Sequence, residues 1–511
     1  MPPQRPPVAT VEPLPELAPP VSNLAQLVTG HALLRPGDVA LVQPEPLRRS
    51  LTWSELEDRV AAVASGLATY GLVAGHRVGL HGPNSTEFVV AYLAALLAGF
   101  VAVPLNPEST PDELGSAVKA TGTRVLLSAT EVALPDVRTL PLTEPGLARV
   151  AEQGDRPVTS PADPETLAVL LHTAGTSGDP KVVTLTHRAL LSHLEHFHAY
   201  GVVDPQTVVL AVLPLFHVFG LNAVLGSWAR AGARLVVQDG TDDLLRVVVD
   251  EQVTNLPVAP SVLYRLLNTE GAARSLSGLT TVVSGAAPLP TQLASDFLAR
   301  TGLRVEQGYG LTEAGPGVTV TLGGPLAGPG HVGRALPGVE LRVGDGSDET
   351  EPAEIRIRGR NLFSGYWPDG HGGPDADGWF ATGDIGYLKE GELFLVDRAR
   401  ELIGVSGFNV YPAEVETVIG DLEGVREVAV IGRLDPSAGE RVVAFVVGSG
   451  VTPDLVAAHC AERLPRFKRP AAVHLAEELP RGATGKIRKG ALRRLDALAD
   501  QGPLPDGQDS P

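Results

Sequence analysis

Two hydrophobic periods alternate along the chain. Thr52 to Thr69 carries apolar residues at helical spacing behind a polar start, and Arg77 to Leu80 is a short strand-like run. Phe88 to Ala98 then predicts a helix and Phe100 to Val103 a strand, with Gly99 between them and Pro104 closing the unit. The same β/α/β grammar continues through strands predicted at Val125 to Ser128, Ala168 to Leu171, Val208 to Val212, Arg234 to Val237 and Thr280 to Ser284. Past Gly333 the pattern changes to short alternating strands, Val339 to Val343 and Glu354 to Arg358, followed by Gly- and Pro-rich loops. After about Arg400 a smaller unit begins, with strands near Val428 to Ile431 and Val442 to Val447 and a helix over Asp454 to Arg463. The predicted fold class is α/β: a large N-terminal domain of mixed or parallel sheets flanked by helices, with a small C-terminal α+β domain. The expected divisions are a disordered Pro-rich extension over residues 1–20, the large domain over 21–398, the small domain over 399–500 and a flexible tail over 501–511.

The stretch Phe88 to Leu105 contains no charge and approaches the length of a membrane span. Gly99 and Pro104 divide it, which favours a buried helix followed by a strand. Eight prolines among the first twenty residues, and no basic segment followed by an apolar run, argue against a secretory signal. Charge and cysteine content narrow the classes further. A net charge of −18 disfavours general binding to nucleic acid or anionic membrane, so an anionic substrate must meet local positive groups. The single cysteine, Cys460, excludes an intramolecular disulfide and a Cys-based zinc cluster, fits a reducing cytoplasm, and is expected to pack within a helix.

Candidate chemistry starts at His172 to Lys181, which follows the apolar run Leu167 to Leu171. Glycines free the backbone to aim N–H groups at an anion, Thr and Ser hydroxyls donate to phosphate oxygens, and Lys181 adds a mobile positive charge. The Walker A spacing is absent, and alone this decapeptide reads equally well as a polar surface loop. Further stretches decide between the two. They are Leu213-Pro-Leu-Phe-His-Val-Phe-Gly220, Ser284-Gly-Ala-Ala-Pro288, Gln307-Gly-Tyr-Gly-Leu-Thr-Glu313, Thr382-Gly-Asp384, Asp397-Arg-Ala-Arg400, Ser406-Gly-Phe-Asn-Val-Tyr-Pro412 and Gly485-Lys486. In this order and at these separations, over residues 50 to about 495, the chain resembles the adenylate-forming superfamily of acyl-CoA synthetases, luciferases and nonribosomal peptide adenylation domains, in its AMP-binding acyl-CoA ligase branch.

The resemblance implies joining a carboxylate to the α-phosphorus of ATP with release of pyrophosphate, then passing the acyl group to a thiol. Such steps rest on positioning and charge neutralisation. By the same resemblance, Thr173, Thr176, Ser177, Gly178 and Lys181 grip the leaving phosphates, Glu313 with Thr176 binds Mg2+, and Thr312 contacts the α-phosphate. Tyr309 and Gly310 meet adenine, Gly285 and Ala286 let the backbone approach the nucleoside, Asp384 holds the ribose, and Arg398 adds a second ribose or phosphate contact. Lys486 reaches the carboxylate and α-phosphate from a mobile C-terminal domain that pivots at Arg400 and brings Ser406 and Gly407 to the acyl-adenylate for coenzyme A. The loop departs from the family at His172, Ala174 and Val182, and the pivot departs at Arg400.

His217 stands where amino-acid-activating relatives place an aspartate, and an unpaired ammonium in the pocket is costly, so a free amino acid is disfavoured. His217, Phe219, Ala286, Ala287 and Gly315 are the expected acyl pocket, and no basic residue in these segments would hold a second carboxylate. The expectation is a medium- or long-chain fatty acid activated to acyl-CoA, with ATP, Mg2+ and coenzyme A. Open alternatives are an aryl or hydroxycinnamate-type CoA ligase, an acyl-AMP ligase loading a carrier protein, a luciferase-like oxygenase and a non-catalytic adenylate-binding homologue. The chain is expected to be free-standing, and a homodimer stays open.

Overall fold

The computed structural model describes residues 21–45, 48–160, 162–173, 181–322, 328–398, 401, 403–405, 408–435, 439–482 and 487–499. Among them the predicted period changes are realised. Thr52 caps the helix Trp53–Ala68 by accepting from the Glu55 N–H, and the Glu55 side chain answers at Thr52 N–H, so two orphan donors are satisfied at one end. Phe88 lies in the helix Thr86–Leu97, which is apolar on all sides, and every residue from Thr86 to Leu96 is buried. Strand Val101–Leu105 follows it, also wholly buried. Among the described residues no helix is long and apolar enough to cross a membrane.

Among the described residues three sheets are formed. The first has six strands in the spatial order Arg138–Pro141, Val125–Ser128, Arg77–His81, Val101–Leu105, Leu167–His172 and Val182–Thr186. All neighbours in it are parallel except the last pair, whose strands flank the glycine-rich stretch. The second has thirteen strands. Its centre is parallel, running through Arg234–Val237, Val208–Ala211, Asn255–Val258, Thr281–Ser284 and Val305–Gly310. It then continues antiparallel through Gly317–Val320, His331–Ala335 and Glu392–Arg398 to Phe380–Lys389, Ala353–Gly359 and Val339–Val343. The third, five-stranded sheet begins at Ile403 and pairs Val425–Asp435 with Gly439–Gly448 along their whole length. Cys460 packs in the core of that smaller unit, on the helix Pro453–Arg463.

Burial imposes a pH dependence. His187 opens the helix His187–His198, and its Nδ1 accepts the Leu24 N–H at 3.2 Å. Burial lowers its pKa from 6.5 to about 4. The folded state therefore keeps this ring neutral, while the unfolded chain takes up a proton below about pH 6.5. Stability from this residue is intact above that value and declines as pH falls toward 4. Between pH 7 and 5 the wild type should lose about 2 kcal/mol more than a His187→Gln variant, read from urea midpoints. Parallel profiles for the two proteins would contradict the assignment.

Candidate active site

Strand Leu167–His172 and strand Val182–Thr186 bring the ends of the glycine-rich loop together, with His172 opposite Val182. The loop base is closed by Thr173, whose N–H and Oγ1 both donate to the Lys181 carbonyl, at 2.9 and 3.2 Å. Thr176, Ser177 and Gly178 lie outside the described residues. Lys181 is exposed, and its Nζ sits 4.6 Å from the centre of the Tyr366 ring. His172, which replaces the family's aromatic residue, is half-buried, and burial lowers its pKa, so it adds no charge at neutral pH.

Glu313 lies on a single tight turn, Thr312–Ala314, after strand Val305–Gly310. Glycine is required at 310, because a Cβ there would collide with the Pro316 carbonyl. Two fully buried asparagines brace this turn. Asn222 donates to the Gly315 carbonyl at 2.6 Å, and Asn361 donates to Ala314 and Gly317 at 2.8 and 3.1 Å. Such donors satisfy carbonyls that would otherwise be buried without partners. The Glu313 carbonyl accepts the Phe363 N–H at 2.9 Å, and its Oε1 accepts the Tyr366 hydroxyl at 2.8 Å. Thr312 is half-buried beside it.

Tyr309 and Asp384 arrive from different parts of the thirteen-stranded sheet and meet. Both are buried, and the Tyr309 hydroxyl donates to Asp384 Oδ2 at 2.7 Å. Gly383, at φ +74°, turns the chain so that the Asp384 N–H reaches Thr382 Oγ1 at 3.1 Å. Arg398 pairs with Asp384 across adjacent strands. Its side chain lies outside the described residues, as do Arg400, Ser406, Gly407 and Lys486.

Segments expected to line an acyl pocket also converge. Phe219 opens a π-helical turn, Phe219–Val224, a rare geometry that frequents functional sites. Its ring packs on Gly285, where a Cβ would lie 2.7 Å from Phe219 Cε1. Ala286 adopts a left-handed φ of +66° and is exposed, while Ala287 is half-buried. The Phe219 N–H donates to His217 Nδ1 at 3.2 Å, which makes Nδ1 the acceptor and puts the proton of the neutral ring on Nε2. Asn222, on the same π turn, carries the contact to Gly315, so the acyl segment and the Glu313 turn are one assembly. Next to it, Gly317 N–H donates to His193 Nδ1 at 3.3 Å, and burial, with His196 nearby, holds His193 neutral by lowering its pKa to about 3.

Tyr366, Asn222 and Asn361 were absent from the sequence-derived site. Asn222 and Asn361 left no signal, because their partners are backbone carbonyls remote in sequence. Tyr366 left a weak one, the run Gly365-Tyr-Trp367 opening a Gly- and Pro-rich region.

A carboxylate beside the glycine-rich hairpin and a buried Tyr–Asp pair, on two sheets followed by a small third, fit an adenylate-forming acid–thiol ligase. Residues 29–367 match the family model for AMP-binding enzymes, and residues 414–486 match that for the AMP-binding enzyme C-terminal domain; the chain belongs to this family. It is 34% identical to 4-coumarate–CoA ligase 5 of Oryza sativa subsp. japonica, over 87% of this chain and 89% of that protein. It is 30% identical to a long-chain-fatty-acid–CoA ligase of Bacillus subtilis, over 93% of this chain and 95% of that protein. Among solved structures, ATP-bound MatB from Rhodopseudomonas palustris superposes with a TM-score of 0.83 at 28% identity, covering 93% of this chain and 98% of that one.

Proposed function

We propose that the protein activates a monocarboxylic acid with an uncharged body as an acyl-adenylate and transfers the acyl group to coenzyme A, releasing pyrophosphate and AMP. The observation that carries the adenylation half is the buried Tyr309–Asp384 pair, with Glu313 and Lys181 on the adjoining turn and loop. Asp384 would accept the ribose hydroxyls and Lys181 would neutralise the leaving phosphates, as charge-assisted contacts that strengthen when water is excluded. His217, protonated on Nε2, would donate toward the acyl carboxylate. Glu313 would bind Mg2+ together with phosphate oxygens of the nucleotide. Bound there, the ion would neutralise charge on the phosphates.

The support for an uncharged acid body is the make-up of the segments expected to line the acyl pocket. Phe219, Gly285, Ala286, Ala287 and Gly315 bring no cation, and the neighbouring His193 is held neutral. A fatty acid is the first reading. An aryl-propenoic acid is the second, favoured by the flat seat of Phe219 on Gly285 and by the 4-coumarate ligase among the relatives. Carboxylate-dependent ATP–pyrophosphate exchange with octanoate, palmitate, 4-coumarate, ferulate, malonate and phenylalanine separates these. Exchange with a fatty or aryl acid at about tenfold or more above malonate and phenylalanine is the expected result, a discrimination of about 1.4 kcal/mol. Exchange confined to phenylalanine would overturn the reading of His217.

A further inference from the structure

We infer that Tyr366 is a positioning residue that couples the two charges of the phosphate site: its hydroxyl orients the Glu313 carboxylate for the nucleotide-bound metal ion, while its ring seats the Lys181 ammonium. The inference rests on the adenylation reading of this site. One side chain touches both groups, with the hydroxyl 2.8 Å from Glu313 Oε1 and the ring centre 4.6 Å from Lys181 Nζ. Tyr366 cannot easily drift from either. Trp367 N–H donates to the Val182 carbonyl at 2.8 Å, Tyr366 bridges Val183, and the Thr184 N–H and Oγ1 both donate to the Gly365 carbonyl, at 3.2 and 2.6 Å. The segment is thereby stitched to the strand that starts one residue after Lys181. Three residues earlier, the Phe363 N–H fixes the Glu313 backbone. The ring is further held edge-on against Phe363 at 5.0 Å, and Gly372 leaves room beside it, since a Cβ there would lie 3.1 Å from Tyr366 Cδ2.

The physical consequence is preorganisation. A glutamate side chain has several rotamers to lose on binding an ion, and a hydrogen bond to one carboxylate oxygen removes that freedom beforehand. The ring offers the lysine a second, weaker restraint through its negative face. Opposite charges thus meet one aromatic residue at its hydroxyl and at its ring face, available to metal and phosphate separately. A purely structural tyrosine would not couple metal dependence to Glu313.

Calorimetric binding of ATP to the full chain across a magnesium titration, with a chelated control, tests this. Tyr366→Phe keeps the ring and should raise the Mg2+ concentration for half-maximal ATP binding by about tenfold, a larger change than in metal-free ATP binding. Tyr366→Leu should in addition weaken metal-free binding by about threefold, because Lys181 loses its seat. In a Glu313→Gln background Tyr366→Phe should shift the magnesium midpoint no further. Thermal midpoints report whether each variant is folded, and Glu313→Gln reads the same link from its other end if Tyr366→Phe is not. An unchanged or lower magnesium midpoint in Tyr366→Phe, or an additive double variant, overturns the inference alone. Absence of magnesium-dependent ATP binding by the wild type overturns it together with the adenylation reading.

Discussion

Lys486→Ala is expected to depress carboxylate-dependent ATP–pyrophosphate exchange by about 10² or more, because the family resemblance implies that it removes a charge aligned to the developing transition state. Thioester formation from supplied acyl-AMP and coenzyme A should change far less, since the same family resemblance moves this lysine away before the second step. Residues on both sides of the Gly485-Lys486 motif are anchored in the smaller unit. Arg481 pairs with Glu427 at 2.9 Å, the Arg488 N–H donates to the Pro480 carbonyl at 2.8 Å, and Lys489 Nζ pairs with Glu416 and Glu401 at 2.9 and 3.2 Å. These contacts change how the basic segment is understood. From sequence it resembles a solvated face of Arg481, Arg488, Lys489, Arg493 and Arg494; in the fold two of these neighbours are committed to carboxylates, and Arg493 and Arg494 stay exposed. Removing Lys486 should therefore leave the segment's anchoring intact and act on chemistry alone. Equal losses in the two half-reactions would remove the lysine from the adenylation step.

What the chain reveals before folding depends on whether a signal is local. Strands Val125–Ser128 and Arg234–Val237 were legible to the residue because a short apolar run between turn signals suffices to define them. The long hairpin Val425–Asp435 with Gly439–Gly448 was legible only at its apolar middle, since its polar ends are held by the partner strand rather than by their own pattern. The continuity of thirteen strands was hidden for the same reason: strands Phe380–Lys389 and Glu392–Arg398 mix polar and apolar residues and are stabilised by register with each other. At the site, Lys181, Glu313 and Asp384 stand in short motifs whose spacing is visible. Asn222, Asn361 and Tyr366 act through tertiary approach, on carbonyls or side chains from 44 to 185 residues away. No local pattern encodes such meetings. They are nonetheless what joins the π turn, the Glu313 turn and the strand after Lys181 into one rigid frame.

Asp384→Ala should have the other large effect, and it separates nucleotide recognition from packing. The carboxylate accepts the Tyr309 hydroxyl at 2.7 Å within the sheet and is proposed to accept the ribose hydroxyls as well. Hydrogen bonds to a charged group contribute about 1.5–3 kcal/mol each, so losing two to ribose should weaken ATP and AMP binding by about 10² or more. Removing the acceptor of a buried hydroxyl should also cost about 1–3 kcal/mol of folding stability. Tyr309→Phe removes the same internal bond from the other side while leaving the carboxylate for ribose. It should therefore lower stability by a comparable or smaller amount and weaken AMP binding far less than Asp384→Ala. Equilibrium AMP binding and urea unfolding on both variants and on the double variant complete the cycle. The stability losses should be less than additive, since one bond is counted twice, whereas the loss of AMP affinity should follow Asp384 alone. Should Tyr309→Phe weaken AMP binding as much as Asp384→Ala does, the pair acts only as a packed unit and Asp384 is not the ribose acceptor.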